Sequence, residues 1–224
     1  MRRLLLIPVA LLALGPDSAR AQTAESATRA RLTTLLTATS GTPQGKGLVE
    51  TALDEARIAM SQAVQAAVAG EDLPVLQASA RGVIHAVDPE RVASGPGLGY
   101  GVTRAVHDLM TQVELTAAGD SKADVARAAP RALAAAQRTL QSLEALLSVA
   151  DEIRTATSAS EAAGRTRELA RLAQEVIAGT RPTAAERERL GPGEGGLLAV
   201  RRALAALVVG RDGVLPASIR QVGR

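Results

Sequence analysis

The sequence contains no cysteine, no tryptophan and no phenylalanine, and it has a single tyrosine, Tyr100. Without cysteine, disulfides and covalent haem attachment are excluded, so a hydrophobic core has to stabilise the fold. The near-absence of aromatic rings removes the side chains on which nucleobases stack. Lys and Arg number 26 against 23 Asp and Glu. No clustered basic excess is visible, so we expect no nucleic-acid partner.

The N-terminus has the features of a secretion signal. Arg2 and Arg3 precede an apolar stretch from Leu4 to Leu14, and a small-x-small pattern ends at Ala21. This order predicts a cleavable signal peptide over residues 1–21 and a periplasmic or secreted mature chain. No segment reaches the roughly 18 apolar residues that a membrane span needs, so we expect no span. Cleavage would lower the formal net charge from +3 to +1.

Apolar residues recur every three to four positions along the chain, and no alternating β-branched run appears. About one residue in five is alanine, which has the highest helix propensity. We therefore predict an all-α fold, an antiparallel up-and-down bundle of about six or seven helices over residues 22–210, with a flexible tail over 211–224. Adjacent acidic residues such as Asp54 and Glu55 are expected to face solvent. The predicted helices cover about residues 25–39, 48–69, 72–88, 102–118, 124–156, 158–179 and 197–209.

A glycine-rich loop, Gly95-Pro96-Gly97-Leu98-Gly99-Tyr100-Gly101, runs directly into a predicted helix. Backbone amides at such a junction form anion-binding sites, which makes Gly97, Gly99, Tyr100 and Gly101 candidate ligand-binding residues. The alternative is a tight turn between two helices, in which Tyr100 folds onto the bundle. No strand precedes the loop and no Gly-Lys-Ser/Thr follows, so a dinucleotide fingerprint and a P-loop are excluded.

His85 and His107 are the two histidines of the chain. They fall near the end of one predicted helix and near the start of the next, where a helical hairpin would bring them to similar heights. With Asp108 or Glu114 as a carboxylate ligand, they would suit Zn, Cu or Fe. The alternative is that each histidine lies at the boundary of an apolar stripe and bonds a backbone carbonyl.

Non-covalent haem bound by a histidine with Met60 or Met110 is a further alternative. No catalytic residues are predicted, because the chain lacks cysteine and has no Gly-x-Ser-x-Gly motif. An enzyme is accordingly the less favoured class.

Three stretches together resemble a loosely defined set of exported bacterial helical proteins. They are His85-Ala86-Val87-Asp88-Pro89, the Gly95–Gly101 loop and Gly193-Glu194-Gly195-Gly196. The resemblance covers about residues 48–209 and implies an exported helical protein, without an established activity. We therefore expect a binding or interaction module that uses the glycine-rich loop to contact an unknown protein partner or small ligand, with no cofactor. The alternative function is a periplasmic bundle that binds a transition metal or haem through His85 and His107.

Overall fold

The computed structural model describes residues 33–119, 123–180 and 195–209, together with positions 30, 184, 185 and 188. Within these ranges the regular structure is helical and no strand occurs. The predicted all-α bundle is thereby confirmed, while the antiparallel up-and-down order stays a prediction. The predicted signal peptide, residues 1–21, and the predicted tail, residues 211–224, lie outside the described residues.

Six of the helices are close in extent to those predicted from the sequence, whereas the predicted helix over residues 25–39 lies partly outside the described residues. A first helix, α1, includes residues 33–37, and a short 3-10 turn follows at Pro43–Gly45. The remaining helices are α2 (Leu48–Val68), α3 (Leu73–Val87), α4 (Val102–Gly119), α5 (Ala123–Thr155), α6 (Ala159–Ala178) and α7 (Leu197–Val209).

Side-chain caps fix where two of these helices begin. The Asp72 carboxylate accepts a hydrogen bond from the Val75 N–H at 3.2 Å at the start of α3. At the start of α6, the Ser158 hydroxyl accepts from the Glu161 N–H at 3.2 Å. Each cap satisfies one of the amide donors that a helix N-terminus leaves without an intrahelical partner.

Two helices, α2 and α5, form the centre of the bundle. Each of them packs against α3, α4, α6 and α7. The buried core of the bundle consists of alanine, leucine, valine and isoleucine together with Tyr100, and alanine lets helix axes approach closely. In the described part of the chain, none of the helices combines the length and apolarity needed to cross a membrane.

Gly196, in the described part of the Gly193-Glu194-Gly195-Gly196 motif, joins α6, α5 and the start of α7. The Gly196 N–H donates to the Thr139 hydroxyl in α5 at 3.1 Å, and that hydroxyl donates in turn to the Ala135 carbonyl at 2.8 Å. A Cβ atom on Gly196 would lie 2.3 Å from the Gly179 nitrogen. The backbone segments therefore touch here, and this part of the motif contributes to helix packing.

Candidate functional site

The loop between α3 and α4 surrounds a buried carboxylate from α2. Glu55 is 0% exposed. Its Oε2 accepts a hydrogen bond from the Leu98 N–H at 3.0 Å, and its Oε1 accepts from the Tyr100 N–H at 3.0 Å and the Gly101 N–H at 3.1 Å. The prediction that Glu55 faces solvent was wrong. Three charge-assisted hydrogen bonds offset the cost of removing this carboxylate from water.

Glu55 also lies at the N-terminus of a helix. The Gly101 carbonyl accepts the Ala105 N–H at 3.1 Å, so Gly101 stands directly before the first turn of α4. The positive end of the helix dipole favours a negative charge at this position. Two of the predicted candidates, Tyr100 and Gly101, thus direct their amides at a carboxylate of the protein itself, as does Leu98, which was not a candidate. We refer to Glu55 and these three amides as the Glu55 site.

The glycine at position 101 is required by its backbone conformation and by its surroundings. Its φ is +82°, a region that residues with a Cβ atom rarely adopt. A Cβ atom there would also lie 2.5 Å from Cδ of Pro89. The motif from His85 to Pro89 and the glycine-rich loop are thus in direct contact and form one structural unit.

His85 fixes the beginning of the same loop. Its Nδ1 lies 3.1 Å from the Pro96 carbonyl oxygen. Because a carbonyl can only accept, this geometry assigns the proton to Nδ1. The half-buried ring also packs against Gly95, where a Cβ atom would come 2.6 Å from Cβ of His85. His85 therefore bonds the loop through one ring nitrogen.

Tyr100 is anchored at both of its ends. Its backbone N–H belongs to the Glu55 site, and its phenol donates to Asp108 Oδ2 at 2.6 Å. The Arg104 guanidinium carbon lies 4.8 Å from the ring centroid, a cation–π contact, and Arg104 Nε lies 3.9 Å from Asp108 Oδ2. Burial, followed by the hydrogen bond and the charge of Asp108, raises the pKa of Tyr100 to about 12. The phenol consequently keeps the proton that it donates to Asp108 even in moderately alkaline solution.

A cleft opens beside this tyrosine, where the end of α3 meets the start of α4. It has a volume of about 340 Å³, and we call it the first cleft. Its walls carry groups of both charges that are able to form hydrogen bonds, and they include Asp88, Glu90, Gly99, Tyr100, Arg104 and His107. Gly99 and Tyr100 are thus placed on a ligand-sized surface, and their predicted role in ligand binding stays a prediction.

The structure does not gather the predicted metal ligands into one group. In the ranges that can be described, no cluster of three or more His, Asp or Glu side chains suits a metal ion. Asp108 bonds Tyr100, Glu114 is exposed, and His107 is exposed on the wall of the first cleft. Met60 and Met110 are half-buried in the bundle. Metal or haem binding through the two histidines stays a prediction.

Two residues of this region, Glu55 and Arg104, were not predicted from the sequence. A signal for Glu55 was present, because it lies three residues after Ala52 and four before Ala59, both of which are buried. A charged residue at that helical spacing falls inside the apolar stripe and needs an internal partner. For Arg104, the sequence offers four-residue spacing to Asp108, which places these two on one side of α4.

Comparisons with protein families, with curated proteins and with solved structures find no match to this chain.

Proposed function

We propose that the protein is an exported helical bundle that binds a small polar ligand in the first cleft and does not act as an enzyme. The observation that carries this proposal is a cleft of about 340 Å³ whose wall contains the doubly anchored Tyr100. A ligand that meets a fixed surface loses less free energy to the ordering of the protein. This surface includes Gly99 and Tyr100 of the glycine-rich loop.

The charges of the cleft favour a zwitterionic ligand. Asp88 and Glu90 supply carboxylates on one wall, whereas Arg104 and His107 supply nitrogen donors on another. Asp88 is already paired with Arg91 at 3.1 Å, which leaves Glu90 as the carboxylate with the greater exposure. A free amino acid carries an ammonium group for Glu90 and a carboxylate for Arg104, so this chemical class complements both walls.

The test measures the thermal stability of the mature protein with each of the common L-amino acids at millimolar concentration. A ligand present at 100 times its Kd stabilises the folded state by about 2.7 kcal/mol. We expect at least one amino acid to raise Tm, and we expect Glu90→Gln and His107→Ala to reduce that rise. Glu144→Gln, an exposed charge change on α5, is the matched control. The proposal fails if no amino acid raises Tm. It also fails if Glu144→Gln reduces the rise in Tm as much as Glu90→Gln and His107→Ala do.

The same preparation tests the alternative function. Elemental analysis and an absorption spectrum of protein purified from the periplasm would detect a bound metal or haem. Stoichiometric metal that is lost in the His85→Ala/His107→Ala double variant would replace the ligand-binding proposal with a metal site. Sequencing the N-terminus of the same protein tests export, because cleavage after Ala21 is expected.

A further inference from the structure

A second cleft also borders Tyr100, and its other described walls come from position 30, residues 34–48 and α4. Its volume is about 520 Å³. Tyr100 lines both clefts, whereas Asp108, Thr111 and Gln112 line the second one. Two leucines of its wall, Leu35 and Leu48, are 4% and 2% exposed and give it an aliphatic base.

The threonine hydroxyl groups of this second cleft have already used their protons. Thr34 Oγ1 donates to the Ala30 carbonyl at 2.8 Å, and Thr39 Oγ1 donates to the Thr34 carbonyl at 3.3 Å. Thr111 Oγ1 donates to the His107 carbonyl at 3.1 Å. A hydroxyl has one proton and two lone pairs, so each of these oxygens can offer a ligand only an acceptor.

The remaining polar atoms continue the same pattern. The Tyr100 phenol donates its proton to Asp108 Oδ2, which leaves the phenol oxygen as an acceptor as well. The Asp108 side chain is 45% exposed and is the ionised group among the described lining residues. Arg104 approaches Asp108 to 3.9 Å but lines the first cleft. Gln112 and Ser40 also line the cleft, and each carries donor as well as acceptor capacity. The second cleft therefore presents more acceptors than donors, and one negative charge, over an aliphatic base.

From this pattern we propose that the second cleft binds an aliphatic amine, separately from the ligand of the first cleft. An ammonium group carries three donors and no acceptor, which suits a wall in which acceptors outnumber donors. Its positive charge is placed beside Asp108, and its methylene groups contact Leu35 and Leu48. The proposal does not depend on the function proposed for the first cleft, because Asp108, Thr111 and Gln112 belong to the second cleft alone.

The test compares three probes with the same four-carbon skeleton. They are 1,4-diaminobutane, 1,4-butanediol and succinate, which carry ammonium, hydroxyl and carboxylate groups. Binding is followed by calorimetry and by the emission of Tyr100, which reports this one position because the chain has no tryptophan and no other tyrosine. We expect the diamine to bind, with at least tenfold weaker binding of the diol and none of succinate.

Variants assign the binding to a particular cleft. Asp108→Asn should weaken diamine binding about tenfold, which corresponds to about 1.4 kcal/mol. Thr111→Val, which removes one exposed acceptor and keeps the side-chain shape, should weaken it about threefold. Asp151→Asn, a carboxylate of similar exposure on α5, is the matched control and should leave the affinity unchanged. Circular dichroism confirms that each variant is folded.

Three results would overturn the proposal. The first is equal or tighter binding of the diol or of succinate. The second is diamine affinity that Asp108→Asn leaves unchanged or that Asp151→Asn reduces equally. The third is diamine binding that Glu90→Gln abolishes while Asp108→Asn does not, because this would move the amine to the first cleft. A failure of amino-acid binding in the first cleft leaves all three criteria unaffected.

Discussion

Replacing Glu55 by glutamine tests whether one buried carboxylate determines the conformation of the glycine-rich loop. Glutamine has nearly the same shape and keeps one carbonyl oxygen, which can still accept from the Tyr100 and Gly101 amides. Its NH₂ group, however, would face the Leu98 N–H, so that two donors meet where a donor and an acceptor met before. The two remaining hydrogen bonds also lose the negative charge of their acceptor.

The expected loss of stability follows from the number and kind of hydrogen bonds that Glu55 accepts. A hydrogen bond to a charged group contributes about 1.5 to 3 kcal/mol, and we expect Glu55→Gln to lower the free energy of unfolding by about 3 kcal/mol. Glu55→Ala, which leaves three amides without their acceptor, should cost about 4 kcal/mol, in the range found when a buried charged partner is removed. Domains of ordinary stability remain folded after such losses.

Urea unfolding followed by circular dichroism measures these differences, and Tyr100 emission reports the loop in the same samples. Glu144→Gln makes the same chemical change at an exposed position of α5, where the effect should stay within about 0.5 kcal/mol. If Glu55→Gln matched this control within about 0.5 kcal/mol and left the Tyr100 emission unchanged, the assigned role of Glu55 would be refuted.

Two further predictions concern the same loop. Alkaline titration followed by phenolate absorbance should give Tyr100 a pKa of about 12, and Asp108→Asn should lower it part of the way toward 10, because burial is the largest cause of the shift. Because the pKa of Tyr100 is higher in the folded state than in the unfolded state, the protonated phenol contributes about 2 to 3 kcal/mol of stability below pH 10. This contribution is lost between pH 10 and 12. A pKa of Tyr100 near 10 in the folded protein would contradict this. Calorimetry should show that Gly101→Ala lowers the free energy of unfolding by about 2 to 4 kcal/mol, because of its positive φ and the contact with Pro89. Gly119→Ala, whose Cβ would meet nothing within 4 Å, should leave the free energy of unfolding unchanged or raise it. If Gly101→Ala and Gly119→Ala changed the free energy of unfolding equally, this reasoning would be refuted.

The sequence predicted the helices well because their ends are determined locally. The predicted start at Ser158 and the end at Gly179 depend on residues within one turn of the helix, and the structure has α6 between them. Which positions face inward is harder to predict where alanine dominates. Ala66 is 0% exposed, whereas its neighbour Ala67 is exposed. Adjacent alanines carry no difference in polarity, so periodicity cannot decide which of them is buried.

The Glu55 site could not be predicted in the same way, because it depends on contacts between residues far apart in the chain. Glu55 and Leu98 are 43 positions apart, and a carboxylate next to Asp54 has the local pattern of a solvent-exposed pair. The loop amides were predicted to bind a ligand, and this role stays a prediction. The sequence pattern did not indicate that the Tyr100 and Gly101 amides bind a carboxylate of α2. That information lies in the packing of α2 against α4.

The fixed position of Tyr100 connects the fold to both proposed binding sites. Its backbone N–H is bonded to Glu55 of α2, and its phenol is bonded to Asp108 of α4. A movement of the loop would break the bond to Glu55, and a rotation of the ring would break the bond to Asp108. A short glycine-rich loop would otherwise lose about 1 to 2 kcal/mol of conformational entropy for each residue that becomes ordered on ligand binding. Here that cost is met when the protein folds, and the wall shared by the two clefts is already in place before a ligand arrives. Because the same wall serves both clefts, a ligand that displaces the Tyr100 phenol from Asp108 in one cleft would change the acceptors available in the other.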